Sequence, residues 1–256
     1  MRLAHRFDGP RDAPVLVLSN SLGTTTELWD LQVPDLAERF RVLRYDHPGH
    51  GESEFDPGPF TVDGLAEGVL ELLDELGIEQ ISFCGLSLGG MVGMSLAVQA
   101  PERVERLALC CTAAYLGPPD GWAERARLVR TEGMEPIVEA VLARWFTPAF
   151  SDAAPDTVVR FRETLSSISR DGYAACCDAI GEWDARSDIH AITAPTLVIV
   201  GEEDPVIGPD HVQEITRAVQ GASVARIPNT AHLANVERPD AFTAAVLAHL
   251  VTEVTA

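Results

Sequence analysis

The chain contains no lysine: all 19 of its basic residues are arginine. This excludes a Schiff-base lysine, a pyridoxal-phosphate enzyme and a phosphate loop ending in Gly-Lys-Ser/Thr. Positive charge is scarce altogether. Against the 19 arginines stand 39 acidic residues, for a formal net charge of −20. Such a surface repels nucleic-acid phosphates and is not drawn to anionic membranes, so neither is an expected partner. Cysteine is sparse, with five residues at 84, 110, 111, 176 and 177. An odd count with two adjacent pairs and no Cys-x-x-Cys is neither a disulfide framework nor a zinc site. Reduced thiols and a cytoplasmic protein are expected. No apolar run approaches the roughly 18 residues of a membrane span. Met1 to Gly9 lacks the apolar segment of a signal peptide.

What is present is an ordinary globular composition. Over 256 residues, 46% are hydrophobic and 23% charged, which argues against disorder and for one large domain with an insertion. Short apolar runs predict strands at Val15–Ser19, Arg41–Tyr45, Ile81–Cys84, Val104–Cys111, Thr196–Val200 and Ser223–Ile227. Helical spacing falls between them, at Val62–Leu76, Gly90–Ala100, His211–Val219 and Asp240–Val251. Alternation with nearly all-apolar strands predicts a mostly parallel sheet with helices on both faces. One stretch breaks the rhythm. From about Ala113 to Thr193 only helices are expected, at Trp122–Thr131, Glu135–Trp145, Asp156–Ser169 and Tyr173–Ile180. The expected division is a core of residues 1–112 and 194–256 with an all-helical cap, 113–193, over the edge where α/β folds bind ligands.

The sharpest motif is Gly85-Leu86-Ser87-Leu88-Gly89, a G-x-S-x-G between a predicted strand and a predicted helix. That context marks a nucleophile elbow, a strained turn that exposes a serine Oγ beside helix N–H groups. The alternative is a glycine-rich turn with an incidental serine. A nucleophilic serine needs a base, and the base an orienting acid, in the order Ser, Asp/Glu, His on this kind of sheet. His232 lies in the loop after a predicted strand and is the candidate base. His249 falls inside a helical pattern, and His211 begins one. The candidate acid is Asp204, in Gly201-Glu202-Glu203-Asp204 directly after another strand. Glu202 and Glu203 compete with it, and Asp210 is read as a helix cap. The oxyanion hole is expected from the N–H of Leu22, in Ser19-Asn20-Ser21-Leu22-Gly23, with that of Leu88. Asp46-His47-Pro48-Gly49-His50-Gly51-Glu52-Ser53 has two histidines three apart. Its proline and glycines prevent a helical zinc face, so it reads as a structural turn. No metal or organic cofactor is expected.

Gly85–Gly90, Asp46–Ser53, Asp204 and His232 together resemble the α/β-hydrolase superfamily over the whole chain. More narrowly, the chain resembles the 3-oxoadipate enol-lactonases. That resemblance rests on Val15–Thr24, Trp29-Asp30 and Phe40–Asp46, and on Trp122, Arg125, Arg144–Pro148 and Gly172-Tyr173-Ala174 within the helical stretch. Leu88 stands where the family usually has Met, and His47-Pro48 where Thr-Arg is commoner. The resemblance implies opening of 3-oxoadipate enol-lactone to 3-oxoadipate in aromatic (protocatechuate or catechol) catabolism. The chain stops at Ala256 just after the closing helix, so the decarboxylase domain fused to some relatives is not expected. Other readings on the same motifs are another carboxylesterase or lactonase, a perhydrolase, a meta-cleavage-product C–C hydrolase, or a non-turnover ligand receptor. A haloalkane dehalogenase would need Asp at position 87.

An anionic lactone is an awkward ligand for so acidic a protein, and it calls for a local cation. Arg144 is the first candidate to bind the substrate carboxylate and Arg125 the second. Trp122 and Trp145 are candidates to pack on the lactone ring. The bland alternative is that these arginines pair on the surface with Glu139 or Glu124.

Overall fold

Apolar runs too short for helices pair into a seven-stranded sheet at the centre of the chain. The computed structural model describes residues 2–55 and 60–251, so Met1 and the far end of the expected core lie outside the described residues. The strands are β1 (His5–Asp8), β2 (Val15–Ser19), β3 (Arg41–Tyr45), β4 (Ile81–Leu86), β5 (Val104–Cys110), β6 (Thr196–Gly201) and β7 (Ser223–Ile227). Their order is β1-β3-β2-β4-β5-β6-β7. Only β1 runs antiparallel, against β3; every other pairing is parallel. Every residue of β4 and of β6 is buried, as a parallel sheet covered on both faces requires.

The helices are α1 (Val33–Leu36), α2 (Val62–Glu75), α3 (Leu88–Gln99), α4 (Pro119–Glu132), α5 (Glu135–Trp145), α6 (Pro148–Ala153), α7 (Pro155–Ser167), α8 (Arg170–Glu182), α9 (Pro209–Ala218), α10 (Ala234–Glu237) and α11 (Pro239–Leu250). Among the described residues, none is long and apolar enough to cross a membrane. Helices α4 to α8 all lie between β5 and β6. A single bridge, Tyr115 with Asp184, joins the two ends of that stretch.

Several boundaries differ from the sequence expectation. Helices α4, α6, α7, α9 and α11 each begin at a proline, and for α4, α7, α9 and α11 that is one to three residues before the expected start. Proline loses nothing there, because a first-turn N–H has no helical partner anyway. Helix α3 begins at Leu88 rather than Gly90, immediately after Ser87. Four short elements went unforeseen: the edge strand β1, the four-residue helices α1 and α10, and the six-residue helix α6. Asp210 does not cap α9. Gly208 stands at that position, with the His211 ring accepting from the Gly208 N–H at 3.1 Å, and Asp210 sits inside the first turn.

Candidate active site

The turn between β4 and α3 is built by glycines that leave no room for side chains. A Cβ on Gly85 would meet the Gly89 carbonyl oxygen at 2.1 Å, and one on Gly89 would meet that of Ser19 at 2.2 Å. The close packing bends the chain sharply at Ser87, whose φ is 58° and ψ −114°. Its backbone is pinned on both sides. The Ser87 N–H donates to the Cys110 carbonyl at 2.8 Å, and the Thr112 hydroxyl donates to the Ser87 carbonyl at 2.7 Å. Ser87 is 8% exposed and directly precedes the first turn of α3, whose N–H groups have no partner within the helix.

Asp204 and His232 come from the carboxyl ends of β6 and β7. Asp204 Oδ2 accepts from His232 Nδ1 at 2.9 Å, and Oδ1 accepts from the N–H groups of Val206 (2.8 Å) and Ile207 (3.1 Å). The acid side chain is fully buried. Glu202 and Glu203 are exposed, which removes them as competitors for the histidine. The bond to Asp204 fixes the proton on His232 Nδ1 and leaves Nε2 as the free base. The two loops are also tied by backbone: Glu203 N–H donates to the Thr230 carbonyl at 2.9 Å. His249, in α11, instead holds the carbonyls of Leu107 and Pro195 at 3.1 and 3.2 Å and is a packing residue.

Leu22 lies in the loop after β2. Asn20 organises this loop, a role the sequence did not signal. Its Nδ2 donates to the Tyr45 carbonyl at 2.7 Å and its Oδ1 accepts from Trp29 Nε1 at 2.9 Å. Its own carbonyl accepts from the Gly89 N–H at 3.0 Å and from His47 Nε2 at 2.9 Å. Thus the Leu22 loop and the start of α3 are bonded to each other. His50 completes the loop: its Nδ1–H donates to the Pro48 carbonyl at 3.1 Å and its Nε2 accepts from the Gly23 N–H at 3.1 Å. The histidines of the Asp46–Ser53 segment are therefore structural acceptors and donors. Burial pushes His47 down to about 4, and burial with His47 nearby pushes His50 down to about 3.

Ser87, His232 and Leu22 line one cavity of about 410 Å³. Trp122, Arg125, Arg144 and Trp145 line it too, so the structure brings together every candidate except Asp204 and Leu88, which stand behind its wall. The remaining walls come from α4, α5, α8 and the loops around them. Arg125 lies over the Trp122 ring, 4.8 Å from its centroid, and stands beside Tyr173. Burial pushes the Tyr173 phenol up, with the two arginines opposing. Partial burial and the neighbouring Arg125 both push the Arg144 guanidinium down. The alternative surface pairings, with Glu124 or Glu139, do not form. Glu124 pairs with Arg127 and Glu139 with Arg162. Among the described residues neither Arg125 nor Arg144 forms an ion pair, so two guanidinium groups face the cavity without a counter-charge.

This fold, with a buried Asp–His pair and a serine on a strand-to-helix elbow, agrees with a family comparison. A model of the alpha/beta hydrolase fold matches residues 14–239. The chain belongs to the α/β-hydrolase family. Among the relatives of this hydrolase is 3-oxoadipate enol-lactonase 2 of Acinetobacter baylyi, 39% identical over 93% of this chain and 89% of its own length. The 3-oxoadipate enol-lactonase 1 of the same organism is 33% identical, over 94% of this chain and 90% of its own. Among solved structures, the enol-lactonase from Burkholderia xenovorans superposes with a TM-score of 0.94 at 44% identity, covering 97% of this chain and 96% of that one.

Proposed function

We propose that this hydrolase opens an anionic enol-lactone, 3-oxoadipate enol-lactone, to 3-oxoadipate by acyl transfer through Ser87. The observation that carries the reading is the cavity itself, where Ser87 and His232 share a wall with two arginines that form no ion pair among the described residues. In a chain of net charge −20 an unneutralised arginine pair is an anion site. The enol-lactonase relatives support the same substrate class.

In this mechanism His232 Nε2 takes the Ser87 proton as Oγ attacks the lactone carbonyl. Asp204 holds the imidazole in the required tautomer and stabilises the imidazolium that forms. The N–H groups of Leu22 and Leu88 receive the oxyanion. Collapse breaks the ring C–O bond, and His232 returns its proton to the leaving enolate oxygen. The enol then becomes a ketone, which makes ring opening hard to reverse. Water, deprotonated by His232, attacks the acyl-enzyme and frees the second carboxylate and Ser87. Residues 113–193 act as a cap: Arg125 and Arg144 anchor the substrate carboxylate while Trp122 and Trp145 flank the ring. No metal or organic cofactor enters this scheme, and chelation should leave turnover unchanged.

The test is a panel assay that follows loss of the enol-lactone's ultraviolet absorbance, with neutral aryl esters and meta-cleavage products beside it. The enol-lactone should have the highest kcat/KM, and Ser87→Ala should lose several orders of magnitude in kcat. Preference for a neutral ester or a C–C substrate would overturn the substrate. Single-turnover behaviour would point to a receptor. Near-normal turnover by Ser87→Ala would end the mechanism.

A further inference from the structure

A second carboxylate is buried close to the site without belonging to it. Glu237, at the end of α10, is 4% exposed. The Ala231 N–H donates to its Oε1 at 2.7 Å, and the Thr147 hydroxyl donates to Oε2 at 2.7 Å. The Thr147 N–H lies 3.3 Å from both oxygens. A buried carboxylate without donors would be costly; here charge-assisted bonds from two segments satisfy it.

Those segments are the two that catalysis must hold in register. Ala231 directly precedes His232. Thr147 closely follows Arg144 and Trp145 at the end of α5. The backbone extends the same junction, since His232 N–H donates to the Arg144 carbonyl at 3.4 Å and Leu233 N–H to the Trp145 carbonyl at 3.0 Å. The last carbonyls of α5, which have no helical partner, are thus met by the histidine loop. The Thr147 hydroxyl is committed on both sides: it caps α6 by accepting from the Phe150 N–H at 3.1 Å, and it gives its own proton to Glu237.

We propose that Glu237 is a positioning residue that locks the His232 loop to the end of α5, so that the base and the arginine-bearing wall move as one unit. The proposal rests on the Ser87–His232–Asp204 reading above. Glu237 does not line the catalytic cavity; it lines a separate one of about 390 Å³ together with Thr147. It therefore acts through the His232 loop rather than on the substrate. The geometry demands a carboxylate. Gln would keep one acceptor for Ala231 but turn its amide hydrogens toward the donors of Thr147, and Ala would leave all of these donors unmet.

The experiment compares full-length Glu237→Gln, Glu237→Ala and Thr147→Val with wild type, well below each melting temperature. Two readouts are taken: steady-state kinetics on p-nitrophenyl acetate, and the rate of Ser87 inactivation by a fluorophosphonate. Both need the activated serine and neither needs an arginine. The expected result is that kcat and the inactivation rate fall together, by roughly 10- to 100-fold for Ala and less for Gln, with KM nearly unchanged. Thr147→Val should show the same pattern more weakly. Wild-type values of both rates in the Glu237 variants, or a loss confined to KM or melting temperature, would overturn the proposal. If Glu237→Ala does not fold, Glu237→Gln and Thr147→Val decide by the same criteria. Ser87→Ala, assayed in parallel, separates the two readings. Its survival would sink the serine mechanism, whereas a dead Ser87→Ala beside normal Glu237 variants would sink only the positioning role.

Discussion

Ser87 occupies a backbone conformation that non-glycine residues rarely adopt, at a cost on the order of 1–3 kcal/mol. The surrounding glycines are what make it the best available conformation. Replacing Gly89 with Ala would drive a Cβ to 2.2 Å from the Ser19 carbonyl and push α3 away from the Leu22 loop. The expected outcome is a loss of about 1–3 kcal/mol, seen as a lower melting temperature, together with reduced kcat. Unchanged melting and turnover in Gly89→Ala would contradict this picture. Asp204→Asn tests the other half of the site. The amide fits the same space and keeps the bonds from Val206 and Ile207, but its NH₂ then faces His232 Nδ1 and selects the wrong tautomer. A fall in kcat on the order of 10⁴, with little change in melting temperature, is expected from kinetics and a thermal scan. Ser87, Asp204 and His232 were legible in the sequence because each follows an apolar strand at a fixed chemical position. Asn20 and Glu237 were not. Each has a partner far along the chain, Tyr45 25 residues from Asn20 and Thr147 90 residues from Glu237, and no local pattern records such a bond.

At the scale of elements, α4 and α5 each contribute one arginine and one tryptophan to the cavity wall. The sequence placed α5 at its observed bounds and α4 within three residues. Apolar spacing marks the face that packs, and the missed residues are the polar or proline turns that carry no such mark. Strand β1 escaped for the same reason, since its His-Arg-Phe-Asp sequence is only half-buried at the sheet edge. The ranking of the arginines also depends on packing. Arg125 is half-buried against Trp122 and Tyr173, whereas Arg144 is the more exposed of the two. A charge-assisted bond at a partly desolvated site is worth about 1.5–3 kcal/mol, while an exposed pair is worth roughly 0–1. Arg125→Ala should therefore lose more kcat/KM on the anionic lactone than Arg144→Ala, and neither should lose much on a neutral ester of similar size. Equal losses on both substrates would remove the carboxylate-anchor role from that residue.

For the whole molecule, acid stability follows from the buried histidines of the Asp46–Ser53 turn. His47 and His50 are held neutral inside the fold, His50 accepting the Gly23 N–H next to Leu22. Their values of about 4 and about 3 lie below the unfolded value of 6.5, so the unfolded chain binds these protons first as pH falls. The sign is then fixed: the stability is fully present above pH 6.5 and is lost progressively as pH drops toward 4 and then 3. Each unit crossed costs up to about 1.4 kcal/mol per histidine, which makes the pair a several-kcal/mol contribution across the window. Asp46 works the other way. Burial raises its carboxyl against the bonds it accepts from Thr26 and Glu52, so it takes up its proton more readily in the folded protein. Because its carboxyl is raised from 3.8, that effect acts above 3.8 and offsets part of the loss from the histidines as pH falls. Urea midpoints measured from pH 8 to 4.5 should be flat above pH 6.5 and fall below it. His50→Gln offers Gly23 an acceptor that does not titrate, and so should weaken the fall to the share carried by His47 and by the partly buried His249, which burial also pushes down. A midpoint that does not change with pH in wild type, or an identical slope in His50→Gln, would show that acid acts on this hydrolase elsewhere.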